Sequence, residues 1–283
     1  MAKLRKIHPD EWPVAYEIAR AAFEDLERRE GEPPTPDPPG HVIERRFRHV
    51  IETDPGGAWV AEENGRPIGV ACAILREGVW GLSLLVVDPQ AQSAGVGRAL
   101  LERALRYGAR ARGGIITSSP DPRALRSYAR AGFTFHPAAE ARGIPRRRAM
   151  PATVRAGSAD DLELTEAVDR AVRGAAHGSD IEVMLASNAR MLVVEDRGYA
   201  LARDGTLFLL AATDEEAARD LLHAVVATTP DGQELRVSWI TAAQNWAVDV
   251  VLEAGLELKM HGALFLRGDV GPFQPYLPTG AYL

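Results

Sequence analysis

The chain has 283 residues with 46% hydrophobic content, which predicts ordinary hydrophobic cores and about two globular domains. The formal net charge of −6 gives no indication of nucleic acid or an anionic membrane as a partner. No apolar run approaches the roughly 18 residues of a membrane helix, and the first residues lack the apolar stretch of a signal peptide, so we expect a cytoplasmic protein.

The chain contains one cysteine, Cys72, in an apolar segment that is typical of a buried strand. A single cysteine excludes an internal disulfide and a cysteine-based zinc site. We therefore expect a reduced protein without a metal.

The N-terminal part of the chain predicts one strand, two helices and a meander of three strands. These elements lie at 3–7, 8–23, 41–52, 58–62, 67–75 and 79–87. Prolines between Glu24 and Gly40 exclude a continuous helix there. The Asn64-Gly65 pair is a strong hairpin-turn signal. A meander next to helices indicates an α+β fold rather than a doubly wound sheet.

The loop after the last of these strands is the strongest functional signal. It reads Gln92-Ser93-Ala94-Gly95-Val96-Gly97 and leads into an amphipathic pattern that predicts a helix. Gly95 and Gly97 allow the backbone to turn tightly and to approach a ligand. Unpaired N–H groups at the helix start, together with the helix dipole, favour a bound phosphate or pyrophosphate.

A second helix with recognisable ends follows a β-rich segment at residues 114–119. Asp121 and Pro122 supply an N-cap and a proline in the first turn. The helix carries Tyr128 and stops at Gly132, where a left-handed glycine belongs. The chain then continues as a strand and a linker up to Met150.

Two of these segments resemble signatures of the GCN5-related N-acetyltransferase (GNAT) superfamily. Gln92 to Gly97 fit the Q/R-x-x-G-x-G/A loop, and Ala124 to Phe133 resemble the A-x-x-x-Y-x-x-x-G-F helix. The loop lacks the Gly-Lys-Ser/Thr of a P-loop, and its glycines are not spaced as in a Rossmann fingerprint. The resemblance implies acetyl-CoA as co-substrate.

The resemblance also implies which residues form the site. The backbone of Leu85 and Val87 would contact pantetheine and the thioester. The pyrophosphate would bind the loop that begins at Gln92, through backbone N–H groups of Ser93, Gly95, Gly97 and Arg98. Tyr128 would be the general acid, because a tyrosine hydroxyl with a pKa near about 10 is protonated at neutral pH and can protonate a thiolate. The alternative is a tyrosine of the core.

The sequence leaves the general base open. Relatives that use a glutamate before the loop would place it near Gly81, and the strand at 79–87 contains no carboxylate. Asp121 stands where many relatives have an asparagine that contacts pantetheine, and its simplest use is to cap the helix. Five side chains are candidates for a water-mediated route: Glu24, Asp25, Ser83, Ser118 and His136.

The final segment, from Gly271 to Leu283, is too rich in proline for a helix and too aromatic for an obvious disordered end. In the Eis-type aminoglycoside acetyltransferases, another tandem arrangement, the C-terminal carboxylate reaches the active site as base. By this resemblance Leu283 is a candidate catalytic residue. The alternative is a tail that seals the domain interface.

Residues 153–267 repeat the pattern of the first half, with Gly255-Leu256 in the place of Gly132-Phe133. When Val87 is matched to Ala212, the second loop is four residues shorter and reads Thr213-Asp214-Glu215-Glu216. Its carboxylates stabilise the helix dipole but repel a pyrophosphate. Val251 stands in the place of Tyr128 and cannot donate a proton.

We therefore predict an α+β protein of two tandem GNAT-like domains, each with a mixed, mostly antiparallel sheet flanked by helices. The acetyl-CoA-binding catalytic domain spans residues 1–150, and a degenerate domain with the tail spans residues 151–283. The expected activity is acetyl transfer to a primary amine of a small molecule or peptide, by a monomer or homodimer. Two alternatives stay open: a non-catalytic CoA-binding or regulatory module, and an acyltransferase similar to mycothiol synthase.

Overall fold

A computed structural model describes residues 2–92, 95–146 and 148–283. By their contacts, the residues divide into two compact units. The first unit is Met1–Leu75 with Trp80–Ala111, and the second is Arg76–Val79 with Arg112–Leu283. None of the described helices is long and apolar enough to cross a membrane.

The first unit is a meander of strands with three helices, as the sequence predicts. Its strands follow the order β1-β2-β3-β4, and the β1–β2 and β2–β3 pairs are antiparallel. The strands are Lys3–Lys6 (β1), Trp59–Glu63 (β2), Arg66–Arg76 (β3) and Val79–Val87 (β4). The helices are Trp12–Glu30 (α1), Gly40–Thr53 (α2) and Val96–Tyr107 (α3).

Helix α1 is longer than the prediction, which ended it near Phe23. It continues to Glu30 and ends at Gly31, whose φ of 71° is left-handed. The additional turns carry ion pairs at helical spacing, among them Arg29–Asp25 and Arg20–Glu24. The prolines that exclude a helix begin only at Pro33, so the sequence rule applies to the second part of the segment.

The described residues of the second unit form a larger, mixed array of strands with five α-helices. Its strands follow the order β5-β12-β6-β11-β10-β9-β8-β7, and a short strand, β13, pairs with β10. The strands are Gly113–Ser118 (β5), Thr134–Gly143 (β6), Val154–Ala156 (β7), Arg190–Val194 (β8), Gly198–Arg203 (β9), Thr206–Ala212 (β10), Leu235–Thr241 (β11), Glu257–Gly268 (β12) and Tyr276–Leu277 (β13). The helices are Pro122–Arg130 (α4), Leu162–Val172 (α5), Ser179–Ala186 (α6), Glu215–Thr228 (α7) and Asn245–Glu253 (α8).

The two sequence repeats exchange strands within this sheet. In the repeat, β5 corresponds to β11, and β6 corresponds to β12. The sheet pairs β12 with β5 and β6 with β11, all antiparallel, and β6 also pairs with β12. The last strand of each repeat therefore lies beside a strand of the other repeat. Because β6 belongs to this sheet, the compact units do not follow the predicted boundary after Met150, which stays a prediction.

Details of the fold support the repeat. The capping box formed by His8 and Glu11 has its counterpart in Ser158 and Asp161. In each repeat, an arginine on the first strand forms ion pairs with the acidic residue of the capping box and with a glutamate. Arg5 pairs with Glu11 and Glu62, and Arg155 pairs with Asp161 and Glu195. The α+β class, with a mostly antiparallel sheet flanked by helices, is thus confirmed.

Candidate functional site

In the first unit, the predicted phosphate loop joins β4 to α3 as expected. Gly95 precedes the helix with a φ of 83°, a left-handed conformation that glycine adopts without strain. Its carbonyl accepts the first helical hydrogen bond from the Ala99 N–H at 3.1 Å. Among the described residues, none accepts a hydrogen bond from the N–H of Gly97 or Arg98. The start of α3 thus leaves donors open to an anionic ligand.

The second glycine of the loop is not required by packing within the protein. A Cβ at Gly97 would lie 3.5 Å from Val87 Cγ2, which is an ordinary van der Waals distance. Alanine would also be a better helix former at this position. Close approach of a ligand to the backbone gives a physical reason for glycine here.

Gln92 fixes the start of the loop to the end of β4. Its side-chain amide donates to the Val87 carbonyl at 3.1 Å. Leu85 and Val87 are half-buried, whereas the residues between and before them are buried. A carbonyl oxygen has two lone pairs, so Val87 keeps one acceptor position for a ligand. Ser93 lies outside the described residues.

In the second unit, Tyr128 lies on α4 with its ring against Phe265 in an edge-to-face contact, 5.5 Å between centroids. It is 5% exposed, and no described residue forms a hydrogen bond to its hydroxyl. Burial, and secondly the negative charge of Asp121, raise the pKa of Tyr128 far above its ordinary value. The hydroxyl is therefore protonated at neutral pH, as a general acid requires.

The ends of α4 follow the prediction. Asp121 accepts a hydrogen bond from the Arg123 N–H at 2.8 Å, which is the expected N-cap. Gly132 follows the helix with a φ of 84°. Both ends of α4 are thus fixed by the residue types that the sequence indicated.

The candidate bases have ordinary surroundings. Glu24 pairs with Arg20 on α1, and Asp25 is bound by two arginines of the same helix. Ser83 and Ser118 are buried, and the Ser118 hydroxyl donates to the carbonyl of the next residue. His136 is half-buried on β6. None of these contacts marks one of the side chains as the base.

In the second repeat, the position of the phosphate loop is occupied by the protein's own carboxylate. Asp214 accepts a hydrogen bond from the Ala217 N–H at 3.0 Å and caps α7. Arg197 binds Asp214 at 2.6 Å and Glu216 at 2.7 Å. The Arg197 guanidinium, and then the backbone N–H, lower the pKa of Asp214, so the group is charged at neutral pH. A phosphate at this helix end would meet a fixed negative charge.

Leu283 is completely buried in the second unit. Its main-chain oxygen accepts hydrogen bonds from Arg173 Nε at 2.8 Å and from the Tyr276 hydroxyl at 2.9 Å. Arg173 and Tyr276 are also completely buried. Sequence reasoning missed both, because an arginine at the end of a helix and a tyrosine between prolines carry no recognisable spacing.

The comparisons with known proteins agree with these features. Residues 12–133 match the model of the acetyltransferase (GNAT) family. A comparison with curated protein sequences finds no match. Within the described residues, no group of three or more His, Cys, Asp or Glu side chains could hold a metal ion.

Three solved structures share the fold over nearly the whole chain. A Pyrococcus horikoshii protein called a "Putative Acetyltransferase" aligns with a TM-score of 0.78 at 17% identity, covering 99% of this chain and 95% of that one. A tandem GNAT protein from the clavulanic acid biosynthesis pathway aligns with a TM-score of 0.59 at 13% identity, covering 94% of this chain and 98% of that one. Eis1 from Mycobacterium abscessus aligns with a TM-score of 0.55 at 14% identity, covering 95% of this chain and 73% of that one.

At these identities the solved structures show the fold alone, whereas the family model covers both sequence signatures, the loop at Gln92 and the helix of Tyr128. Residues 12–133 are therefore similar to the acetyltransferase (GNAT) family, and the chain as a whole is similar in fold to solved acetyltransferase and tandem GNAT structures.

Proposed function

We propose that the chain transfers the acetyl group of acetyl-CoA to a primary amine of a small molecule or peptide, by direct attack in a ternary complex. Residues 1–150 form the catalytic domain in this proposal, and residues 151–283 form the degenerate domain. The supporting observation is the contrast between two helix starts. The N-terminus of α3 follows a left-handed Gly95, and no described residue accepts from its N–H groups at Gly97 and Arg98, whereas Asp214 occupies the N-terminus of α7.

The residues around α3 fit a pyrophosphate. Among the described residues, none accepts from the N–H groups of Gly97 and Arg98, Gly97 has no side chain to obstruct the approach, and the helix dipole favours an anion. The exposed Arg98 side chain adds a positive charge one residue further along the helix. Backbone of Leu85 and Val87 is assigned to pantetheine, and Gln92 to the geometry of the loop.

In the proposed reaction, the lone pair of the neutral amine attacks the thioester carbonyl carbon, and the carbon–sulfur bond then breaks. The amine nitrogen loses one proton to a base or to water, and the sulfur gains one proton. Tyr128 is assigned to deliver that second proton from its hydroxyl. The products are an N-acetyl amide and free CoA thiol, and Tyr128 is restored by a proton from solvent.

Leu283 stays a candidate base within this proposal. Its main-chain oxygen is bound by the buried guanidinium of Arg173, and a positive neighbour weakens a carboxylate as a base. A carboxylate at Leu283 would therefore act only after it separates from Arg173. A glycine appended after Leu283 tests the role, and unchanged turnover with a good acceptor would contradict it.

The two alternative functions make different predictions. A mycothiol-synthase-like enzyme needs a cofactor site in the second repeat, and the fixed carboxylate of Asp214 opposes this. A regulatory module needs acetyl-CoA binding without catalysis. It predicts that Tyr128→Phe changes no rate with any acceptor.

Calorimetric titration of the full chain with acetyl-CoA, followed by a screen of amines for release of CoA thiol, tests the proposal. We expect one acetyl-CoA per chain and CoA release with a subset of amines. A folded protein that binds no acetyl-CoA would refute both the enzyme and the regulatory module. Binding without release for every amine class would support the module.

A further inference from the structure

Strands β10 and β11 leave a gap in the sheet of the second unit. They run parallel but pair only at Thr206–Arg236 and Leu207–Val237. Further along, β10 pairs with β13 instead, with Leu210 opposite Leu277 and Ala211 opposite Tyr276. Strand β13 also contacts β11. The segment 273–283, here named the strap, thus enters the sheet where its two neighbouring strands separate.

The strap is held through its main chain by one buried side chain. Gln244, which is 2% exposed, donates from Nε2 to the Phe273 carbonyl at 2.7 Å. Its Oε1 accepts two hydrogen bonds, one from the Tyr276 N–H at 3.0 Å and one from Trp246 Nε1 at 2.8 Å. A side-chain amide that satisfies both a carbonyl and an N–H recognises a peptide backbone, whatever its side chains are.

The far end of the strap is held by a buried polar network. The Tyr276 hydroxyl lies 3.4 Å from His177 Nε2 and donates to the main-chain oxygen of Leu283 at 2.9 Å. His177 Nδ1 lies 2.8 Å from a carboxylate oxygen of Asp169, whose other oxygen accepts from Tyr199 at 2.5 Å. All these side chains are completely buried. The network thus joins the strap to residues of α5 and β9.

The strap forms fewer backbone hydrogen bonds with its neighbouring strand than the other strands of this sheet form with theirs. Strand β13 has two residues, and the prolines at 272, 275 and 278 cannot donate to a ladder. The antiparallel pairs β8–β9 and β9–β10 are complete without it. Gly271, which lies two residues before the strap, has a φ of 74°, a left-handed conformation that glycine adopts without strain.

We propose that the gap between β10 and β11 is a binding cleft for an extended peptide strand, and that the strap is its built-in ligand. The cleft recognises the peptide backbone through β10 and Gln244, and it accepts an aromatic side chain at the position of Tyr276. This is strand addition within one chain. The strap can leave and return as a local opening, while the rest of the sheet stays folded.

Hydrogen exchange in the full chain tests this proposal. The Ala212 N–H donates to the Pro275 carbonyl and reports whether the strap is seated. In Gln244→Ala, we expect exchange at Ala212 to rise by about 10-fold or more, whereas amides of Arg190–Val194 keep the wild-type rate. Gln233→Ala, the same change at a half-buried glutamine outside the hydrogen bonds that hold the strap, serves as the control.

A synthetic peptide of residues 272–283 then tests whether the cleft binds a strand. In excess, it should restore protection of Ala212 in Tyr276→Phe, a chain that loses one hydroxyl of the strap and keeps Gln244 in the cleft. The same peptide with Tyr276→Ala should not restore protection. If β8 exchanges as fast as Ala212, the strap is an integral strand and the proposal fails. Failure of the peptide to protect Ala212 also overturns it. If Gln244→Ala does not fold, Tyr276→Phe replaces it in the exchange experiment.

Discussion

Arg76 and Asp180 form a two-point ion pair in the second unit, with both hydrogen bonds 2.8 Å long. The Asp180 side chain is completely buried, and the Arg76 side chain is 12% exposed. Asp180 also lies in the first turn of α6, where the helix dipole favours a negative charge. Arg76, the last residue of β3, is therefore fixed by a charge pair that is largely removed from water.

Removal of one member of this pair is expected to destabilise the second unit strongly. In Asp180→Ala, the Arg76 charge loses its buried partner, and such changes cost about 3–5 kcal/mol of unfolding free energy. Urea unfolding monitored by circular dichroism measures the loss. Arg28→Ala breaks an exposed pair with Asp25 and should cost at most about 1 kcal/mol. Equal losses in the two variants would contradict the argument.

Acid should destabilise the fold through the ion pair of Arg155 and Asp161. Hydrogen bonds from Arg155 lower the pKa of Asp161, whose side chain is 10% exposed. A folded-state pKa below the unfolded value of about 3.9 gives stability that is present above that pH and is lost as pH falls through the folded pKa. Between pH 5 and pH 2, the urea concentration at the unfolding midpoint should therefore change less with pH in Asp161→Asn than in wild type. In the control Asp160→Asn, which changes an exposed neighbouring residue, the urea midpoint should depend on pH as it does in wild type.

Features with a local cause could be predicted from the sequence. Gly95 and Gly132 are left-handed and Asp121 caps α4, because a turn or a helix end is decided by a few adjacent residues. The repeat could also be seen, because helices and strands recur in the same order. The acidic loop that begins at Thr213 predicted a carboxylate at the start of a helix, and Asp214 caps α7 there. The loss of a phosphate site in this copy stays a prediction.

Features that depend on distant partners could not be predicted. Strand β6 pairs with β11 and strand β12 pairs with β5, each in the other repeat. A hydrophobic pattern does not predict these pairings, because either strand could pack beside any apolar neighbour. The cleft that holds the strap was missed because Gln244 and Tyr276 are 32 positions apart in the chain. Their hydrogen bond arises only when β10 and β11 separate.

Gly97→Glu should separate cofactor binding from stability. The new Cβ has room, and a carboxylate in the first turn of a helix is favoured by the helix dipole, so unfolding free energy should stay equal or rise by about 0.5–1 kcal/mol. The carboxylate would repel a pyrophosphate at the helix start, so we expect acetyl-CoA affinity to fall by about 10-fold or more, or about 1.4 kcal/mol. Thermal unfolding and calorimetric titration of the same samples measure the two effects.

Two variants are controls for this experiment. Gly95→Ala forces alanine into a left-handed backbone and should cost about 1–2 kcal/mol of stability in addition to weaker binding. Asp214→Ala removes the cap of α7 and should cost about 1 kcal/mol without any change in acetyl-CoA affinity. An acetyl-CoA site that responds to Asp214→Ala and not to Gly97→Glu would place the cofactor in the second repeat.

Tyr128→Phe should affect catalysis without affecting the fold. The ring contact with Phe265 is preserved, and the hydroxyl has no hydrogen-bond partner among the described residues, so stability should change by less than about 1 kcal/mol. Loss of the proton donor should lower kcat by about 100-fold to 10,000-fold. Phe135→Leu, a change at the other ring that contacts Phe265, serves as a control for altered packing. A Tyr128→Phe enzyme with unchanged kcat would support the regulatory module.

The pH dependence of kcat provides a separate test of Tyr128. Burial raises the pKa of its hydroxyl, so the group keeps its proton well into the alkaline range. The acceptor amine becomes a nucleophile as it deprotonates, near pH about 10 for an ordinary alkylamine. The rate should therefore rise with pH and show no decrease caused by Tyr128 up to pH about 10. An alkaline decrease near pH 8 that disappears in Tyr128→Phe would show a hydroxyl of low pKa, contrary to its burial against Phe265.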